Sequence, residues 1–458
     1  MQEPMSAAAR RRGWREWLSP ARAAVAAGWC LLSVAGVWLV QRLVRVSMID
    51  VMVYRAAGWT VRTGGDLYSL RADGLPMTYP PFAGLLFVPL TWLDVGAMRT
   101  AATVANLLLA VAFAALSLRL VDRRPTVASA LLLTALVVWC EPVWATLRYG
   151  QVNLLLAVLV LADLTCRADR RWAGVGIGIA AGIKLTPVLF VALLALAAFT
   201  TRGRGTPYLR RASVAAGTFA ATVGVAALAL PHDSVRYWTQ DVFSPDRAGY
   251  AEEVANQSLR GVLARLTHSG DPGTLWLCVA LAVALAGLAV AVGALTAGDR
   301  LPFAAAWAAV SCGVTALLVS PVSWTHHWVW AVPMAVLLVA EGVRRHDRRW
   351  VWGAAAAVLV FCSYALWALP HGRGRPELRE NPAQMLLAAC YPLAGLAFLA
   401  VAGRVVTTAL RTESPPPARA ARSRGARLRS RTAGSRSPAG RAGKRRPAPR
   451  RSRSADSP

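Results

Sequence analysis

The sequence predicts an all-α polytopic membrane protein of about 12 transmembrane helices, with its polar chemistry in outer-side loops and a C-terminal tail outside the fold. Three observations predict it. The 458 residues are 56% hydrophobic and only 16% charged, with a mean hydropathy of +0.43. Apolar runs of about 20 residues recur along the chain, the length needed to cross a bilayer as a helix. The net charge of +28 is segregated, lying between and after those runs. Neither a soluble globule nor a basic nucleic-acid binder carries this combination. The seven cysteines (Cys30, Cys140, Cys166, Cys278, Cys312, Cys362, Cys390) fall inside or at the ends of apolar runs without a CxxC spacing. They read as small hydrophobes rather than as a disulfide framework or a zinc site.

The elements follow in order. Arg10, Arg11, Arg12 and Arg15 precede an apolar run from Ala23 to Val40 that ends in QRLVR. The run is long for a signal peptide and lacks a small-residue cleavage site, so it is expected to be a retained first span. Crossings are placed near 23–45, 98–118, 125–141, 151–166, two within 172–199, then 212–230, 274–297, 302–320, 328–342, 350–369 and 384–403. Arginine clusters at 119–124, 167–171, 200–211 and 343–349 mark alternate connections as cytoplasmic, together with both termini. Both flanks of 172–199 are Arg-rich, so that stretch must cross an even number of times. A break at Lys184-Leu185-Thr186-Pro187 is expected, because proline steers the residue before it away from helix. Three parts result: a basic cytoplasmic N-terminus (1–22), a transmembrane catalytic domain (23–405) and a basic cytoplasmic tail (406–458). From Arg411 onward the tail holds 15 Lys+Arg and 2 acids and no aromatic residue. Such a segment cannot bury a core. It reads either as a contact for anionic lipid headgroups or as a solvated, topology-fixing tail.

This orientation gathers the unusual polar residues on the outer side. Asp50 follows the first span directly, in Asp50-Val-Met-Val-Tyr54-Arg55, where partial desolvation raises the basicity of a carboxylate. Gly65-Asp66-Leu67-Tyr68 comes next. Thr78-Tyr79-Pro80-Pro81-Phe82 then opens an apolar stretch, Ala83–Trp92, too short to span and read as interfacial or re-entrant with proline in its first turn. Glu141-Pro142 and Arg148-Tyr149-Gly150-Gln151-Val152-Asn153 flank the next outer turn. The long loop 231–273 carries Asn256-Gln257-Ser258-Leu259-Arg260-Gly261. Ser320-Pro321-Val322-Ser323-Trp324-Thr325-His326-His327-Trp328 opens the tenth span. Adjacent helical positions diverge by about 100°, so one histidine of the pair is expected to face a cavity. Histidine is a proton acceptor near neutral pH, whereas an HH dipeptide lacks the spacing of a helical metal site. Lys184 and Arg148 are the basic residues expected to enter the outer half of the bilayer, where an ionisable group usually has a partner or a ligand.

Taken together, D-x-x-V-Y-R-A-A, G-x-D-L-Y, T-Y-P-P-F, G-Q-V-N, G-I-K-L-T-P-x-L-F, N-Q-S-L-R-G and S-P-x-S-W-x-H-H-W run in order from Asp50 to Trp328. In this the chain resembles the polyprenol-phosphate-mannose-dependent mannosyltransferases of glycosyltransferase family 87, with GT-C membrane architecture. The resemblance implies inverting transfer from a polyprenyl-phosphate-mannose to a mannoside glycolipid such as a phosphatidylinositol mannoside, forming an α-(1→2) linkage at the outer membrane face. It implies Asp50 as the group that activates the acceptor hydroxyl, with His326 or His327 competing for the base role. Lys184, helped by Arg148 or Arg260, would bind the donor phosphate. Tyr54, Asp66, Tyr68, Tyr79, Gln151, Asn153, Asn256, Gln257 and Trp324 would contact the sugar or the acceptor. No cofactor and no metal are expected, since basic side chains complement the leaving phosphate and no DxD pair stands beside the outer motifs. Transfer of arabinofuranose from a similar lipid is the neighbouring alternative. A lipid-linked sugar flippase is the alternative of a different class, although it would concentrate polar groups at the bilayer midplane and repeat them in two halves.

Overall fold

The computed structural model describes residues 20–43, 48–167, 170–201, 203 and 205–411. The expectations for the basic N-terminus before residue 20 and for the tail after residue 411 lie outside the described residues. Helices dominate. The chain opens with α1 (Pro20–Leu43) and the amphipathic α2 (Ile49–Thr63), which leads to a two-residue hairpin, β1 (Arg71–Ala72) paired antiparallel with β2 (Leu75–Pro76). Next come α3 (Pro81–Phe87), with Pro81 in its first turn, and a 3-10 turn Val88–Trp92 that finishes the short apolar stretch. The Asp94 side chain caps α4 (Val95–Leu120) by accepting from Ala97 N at 2.9 Å. Thr126 and Ser129 form a reciprocal capping box on α5 (Val127–Val137). That helix turns by 83° into α6 (Glu141–Tyr149), where Pro142 stands in the first turn.

Then follow α7 (Asn153–Thr165), α8 (Val175–Ile183), α9 (Val188–Thr200), α10 (Gly205–Ala229), α11 (Pro231–Thr239), α12 (Leu259–Leu266), α13 (Gly273–Ala297) and α14 (Ala304–Val319). A 3-10 segment, Thr325–Trp330, runs into α15 (Ala331–Arg345). The fold closes with α16 (Arg348–Cys362), α17 (Pro382–Ala388) and α18 (Cys390–Arg411). The break expected at Lys184–Pro187 is present: α8 stops at Ile183 and α9 begins at Val188.

Among the described residues, six helices are long and apolar enough to cross a membrane: α1, α4, α10, Gly273–Arg300, Thr325–Arg345 and α18. The bent pair α5–α6 would make a seventh. The other apolar segments read as crossings, among them α7, α8, α9 and α14, are helices of 9 to 16 residues. The protein is therefore a multi-span helical membrane protein whose long spans number fewer than twelve. Its outward faces need lipid. Leu32, Phe199 and Leu228 stand 67%, 82% and 88% exposed, and such side chains cost free energy in water.

Two close contacts hold the elements that carry the site. A Cβ at Gly182 of α8 would lie 2.3 Å from Thr222 Oγ1 of α10, and one at Gly178 would lie 2.5 Å from Thr218 Cβ. Small residues let the two backbones approach, as in other membrane helix pairs, and this sets Lys184 at the end of α8. Gly150 ends α6 with φ +70, and a Cβ there would meet Val51 at 2.9 Å. Glycine serves both demands, the left-handed cap and the close approach. The main chain secures the same junction, with Met48 N donating to Arg148 O at 3.2 Å.

Candidate active site

One large cavity, of about 1370 Å³, lies among α2, α6, the α8–α9 break, the loop before α12 and the Thr325–Trp330 segment. Single small-molecule sites occupy about 300–1,000 Å³, so there is room for a sugar donor and an acceptor together. Its inner wall carries Asp50, Tyr54, Tyr79, Gln151, Lys184, Trp324, His326 and His327. Five of the seven motifs that the sequence marked separately thus converge on one space.

Asp50 sits in the first turn of α2, outside the spanning helices. Burial pushes its carboxyl up to about 6, against a hydrogen bond from Gln151 and the neighbouring Lys184, which hold it down. The amide of Gln151 has its orientation set from behind. Tyr54 Oη donates to Gln151 Oε1 at 2.7 Å, and Tyr79 Oη lies 3.0 Å from the same atom. That leaves the Gln151 NH₂ group to face Asp50. Tyr54 is fixed in turn by stacking on Phe87, with ring centroids 4.4 Å apart. The outcome is a carboxylate near neutral pH, aimed into the cavity by a buried network.

Beside this network, Lys184 Nζ lies 2.8 Å from His327 Nε2, 3.4 Å from Asn153 Oδ1 and 5.3 Å from the centre of the Tyr79 ring. Asn153 Nδ2 donates to the His326 carbonyl at 2.9 Å, so this residue positions rather than lines the main cavity. Both histidines line it, which corrects the expectation of one. The pair enters on a 3-10 segment ahead of α15, and the two rings stand edge to face with centroids 4.7 Å apart at 87°. His326 is 7% exposed, and its Nε2 has no hydrogen-bond partner among the described residues.

The remaining sequence candidates stand off the wall, and each has a structural use. Asn256 and Gln257 are fully buried and bind backbone. Ser323 N donates to Asn256 Oδ1 at 3.0 Å, Gln257 N donates to Ser323 O at 2.7 Å, and Gln257 Nε2 donates to Ala388 O at 2.6 Å. They pin the segment that bears the histidines. Asp66 accepts from Tyr68 N and Ser69 N and pairs with Arg236 at 2.6 Å, while Tyr68 Oη donates to Tyr79 O at 2.8 Å. Both brace the hairpin region behind Tyr79. Arg260 pairs with Asp246 at 2.8 Å and stacks on Trp276. Arg148 lies over Trp144 and Trp367.

Several contributors were given no role at the site by the sequence reading. Glu141 is fully buried and accepts from Tyr391 Oη at 3.0 Å and Trp367 Nε1 at 3.3 Å, tying α6 to the cavity mouth. Arg265, 1% exposed, donates to the carbonyls of Glu252, Glu253, Asn256 and Ala388. Arg373 also lines the cavity, with Arg247 and Arg375, which pair with Asp241 and Glu252. The signal for Arg373 and Arg375 was present as His371-Gly-Arg-Gly-Arg-Pro376, a turn-rich run of cations beyond the last motif.

Comparison with known proteins places the chain in a family. The model of glycosyltransferase family 87 matches residues 77–321. A polyprenol-phosphate-mannose-dependent alpha-(1-2)-phosphatidylinositol mannoside mannosyltransferase of Mycolicibacterium smegmatis is 34% identical over 386 residues, 78% of this chain and 83% of that protein. The Mycobacterium tuberculosis protein of the same name is 31% identical over 409 residues, 83% and 91% of the two chains. A phosphatidylinositol pentamannoside mannosyltransferase of M. smegmatis is 35% identical over 352 residues, 72% and 80%. Among solved structures, ArnT of Cupriavidus metallidurans bound to undecaprenyl phosphate aligns over 83% of this chain and 78% of its own, at 16% identity and a TM-score of 0.40. By its family match and by the extent of its curated relatives, the chain belongs to glycosyltransferase family 87.

Proposed function

We propose that this membrane glycosyltransferase moves mannose from a polyprenyl-phosphate-mannose to a mannoside glycolipid, forming an α-(1→2) linkage with inversion. The relatives' names supply the donor and the linkage. The observation that carries the reading is that a carboxylate, Asp50, and a buried cation-forming group, Lys184, line one cavity. In this reading the acceptor hydroxyl lies against Asp50, which takes its proton as the oxygen attacks the anomeric carbon. The polyprenyl phosphate departs on the opposite side, where Lys184 meets its charge. Stabilising that charge with a positioned donor is the largest expected contribution to rate. His326 lines the cavity with a buried Nε2 that lacks a partner among the described residues, the group suited to a sugar hydroxyl, and Tyr79 and Trp324 supply apolar faces. Arg373, lining the same cavity, suits the anionic headgroup of a phosphatidylinositol mannoside. No metal has a part in this chemistry.

The site is assigned to the extracytoplasmic side of the cell membrane, with both termini cytoplasmic and the shorter apolar helices completing about 12 crossings. The charge distribution supports this orientation. A membrane assay with radiolabelled polyprenyl-phosphate-mannose and phosphatidylinositol mannoside acceptors tests the function. Label should enter a glycolipid that α-(1→2)-mannosidase cleaves. Transfer only from an arabinosyl donor would overturn the reading. A reporter inserted near residue 250 and found in the cytoplasm would overturn the orientation.

A further inference from the structure

The hydrogen-bond roles around Lys184 are fixed from its far side. Trp324 N donates to His327 Nδ1 at 3.2 Å. Nδ1 therefore presents a lone pair, and the single proton of a neutral imidazole resides on Nε2. The polar atom facing Nε2, at 2.8 Å, is Lys184 Nζ. An ammonium has three donors and no acceptor, so a charged Lys184 would set two donors face to face. A neutral amine fits both neighbours. Its lone pair accepts Nε2–H, and one of its own hydrogens goes to Asn153 Oδ1, which is turned toward it because Asn153 Nδ2 is committed to the His326 carbonyl. Among the described residues no carboxylate stands within ion-pair distance of Lys184.

We propose that Lys184 rests as a neutral amine held by His327 Nε2–H and acquires its charge only with the donor phosphate, so that donor binding takes up one proton from solvent. The step is R–NH₂ + H⁺ → R–NH₃⁺, and no bond in the donor changes. His327 then gives up the lone pair of Nζ, and the ammonium turns its donors to the phosphate, with the Tyr79 ring as a cation–π face 5.3 Å away. The groups that face Lys184 allow this. Asp50 from α2 hydrogen-bonds Gln151, Tyr54 and Tyr79 are phenols, His326 has its Nε2 free, and Arg148 is stacked away over Trp144 and Trp367. An empty cavity thus avoids holding an unpaired buried ammonium, a costly state near a bilayer. The proposal makes His327 a positioning residue that sets the protonation state of the phosphate ligand. It rests on the mannosyl-phosphate donor reading.

The test is calorimetry of the full chain in detergent with a short-chain polyprenyl-phosphate-mannose, a phosphodiester that does not titrate between about pH 6 and 9. At pH 8, titrations in buffers of different ionisation enthalpy should report uptake of about one proton, and affinity should fall up to tenfold per pH unit as pH rises further. Lys184→Arg, charged throughout, should bind without uptake and with an affinity that does not vary with pH. Heats independent of buffer in the unmodified protein overturn the proposal, as does equal uptake by Lys184→Arg, which would point to His326. Should Lys184→Arg fail to fold, the affinity of the unmodified protein decides alone: a flat profile from pH 7 to 9 refutes it. Complete lack of donor binding overturns the donor reading and this proposal with it, whereas binding without uptake overturns only the latter.

Discussion

Replacing Asp50 by asparagine should separate activity from stability, raising one while abolishing the other. In the folded protein burial lifts the Asp50 carboxyl from its ordinary 3.8 to about 6. An acid raised on folding binds its proton more tightly in the folded state. The unfolded chain therefore loses the proton first as pH rises, and stability is lost between about pH 4 and 6 and stays lost above. At 1.36 kcal/mol per pH unit, the displacement corresponds to about 3 kcal/mol of destabilisation at neutral pH. Asparagine is nearly isosteric, carries no charge and still offers Oδ1 to the Gln151 NH₂ group, so most of that cost should be recovered. The same substitution removes the proton acceptor, and general-base catalysis is worth about 10²–10⁴ in rate.

Two measurements on one preparation check this. Transfer from polyprenyl-phosphate-mannose should fall at least a hundredfold. The melting temperature in detergent at pH 7.5 should rise, and the gap between the two proteins should close as pH falls through about 6 and on toward 4. In the unmodified enzyme kcat/KM should decline below about pH 6, since the base must be ionised to act. Full transfer by Asp50→Asn would remove Asp50 from the chemistry. Loss of transfer together with a lower melting temperature would show that the carboxylate is a structural anchor, and the reasoning from burial would fail.

Three further outcomes are expected. Asn256→Ala leaves the buried Ser323 N–H without its acceptor, which should cost about 1–3 kcal/mol and lower kcat by loosening the histidine segment; an unchanged melting temperature would refute the pinning role. Gly182→Ala should destabilise by about 1–3 kcal/mol through contact with Thr222, and Thr222→Gly in the same chain should restore stability, so a double variant as poor as the single one contradicts the packing account. Exhaustive treatment with EDTA should leave the transfer rate unchanged, and restoration of a lost rate by added Mg²⁺ or Mn²⁺ would show that a metal takes part.

The parts of the site that sequence made legible are those governed by local chemistry. Pro187 marks the break that sets Lys184, Pro81 opens the short helix behind Tyr79, and Asp50 stands where an apolar run ends. What stayed hidden depends on partners far along the chain. The amides of Asn256 and Gln257 look the same whether they bind a sugar or a carbonyl, and only the position of Ser323 and Ala388 decides. Arg260 and Arg265 share one helix, yet the first pairs with Asp246 and the second is buried against four carbonyls. Hydropathy likewise registers apolar runs rather than helix lengths, so the 83° bend between α5 and α6 and the short α7 and α9 counted as spans of equal standing.

The division between wall and scaffold has a physical logic. A group-transfer site must hold a base and a phosphate ligand on opposite sides of the reacting carbon, and small misplacements cost large factors in rate. Here those groups come from α2, α7, the α8–α9 break and the Thr325–Trp330 segment, none of which could fix its own position alone. Each is tied by main chain or by a fully buried amide to another. Arg148 O holds the start of α2, Gln151 holds Asp50, Asn153 holds His326, and Asn256 with Gln257 holds the loop ahead of both histidines. Polar residues placed this deep in a lipid-embedded protein are expensive unless satisfied. The cavity can therefore present Asp50, Lys184 and His326 to a substrate, because the residues behind them are spent on one another.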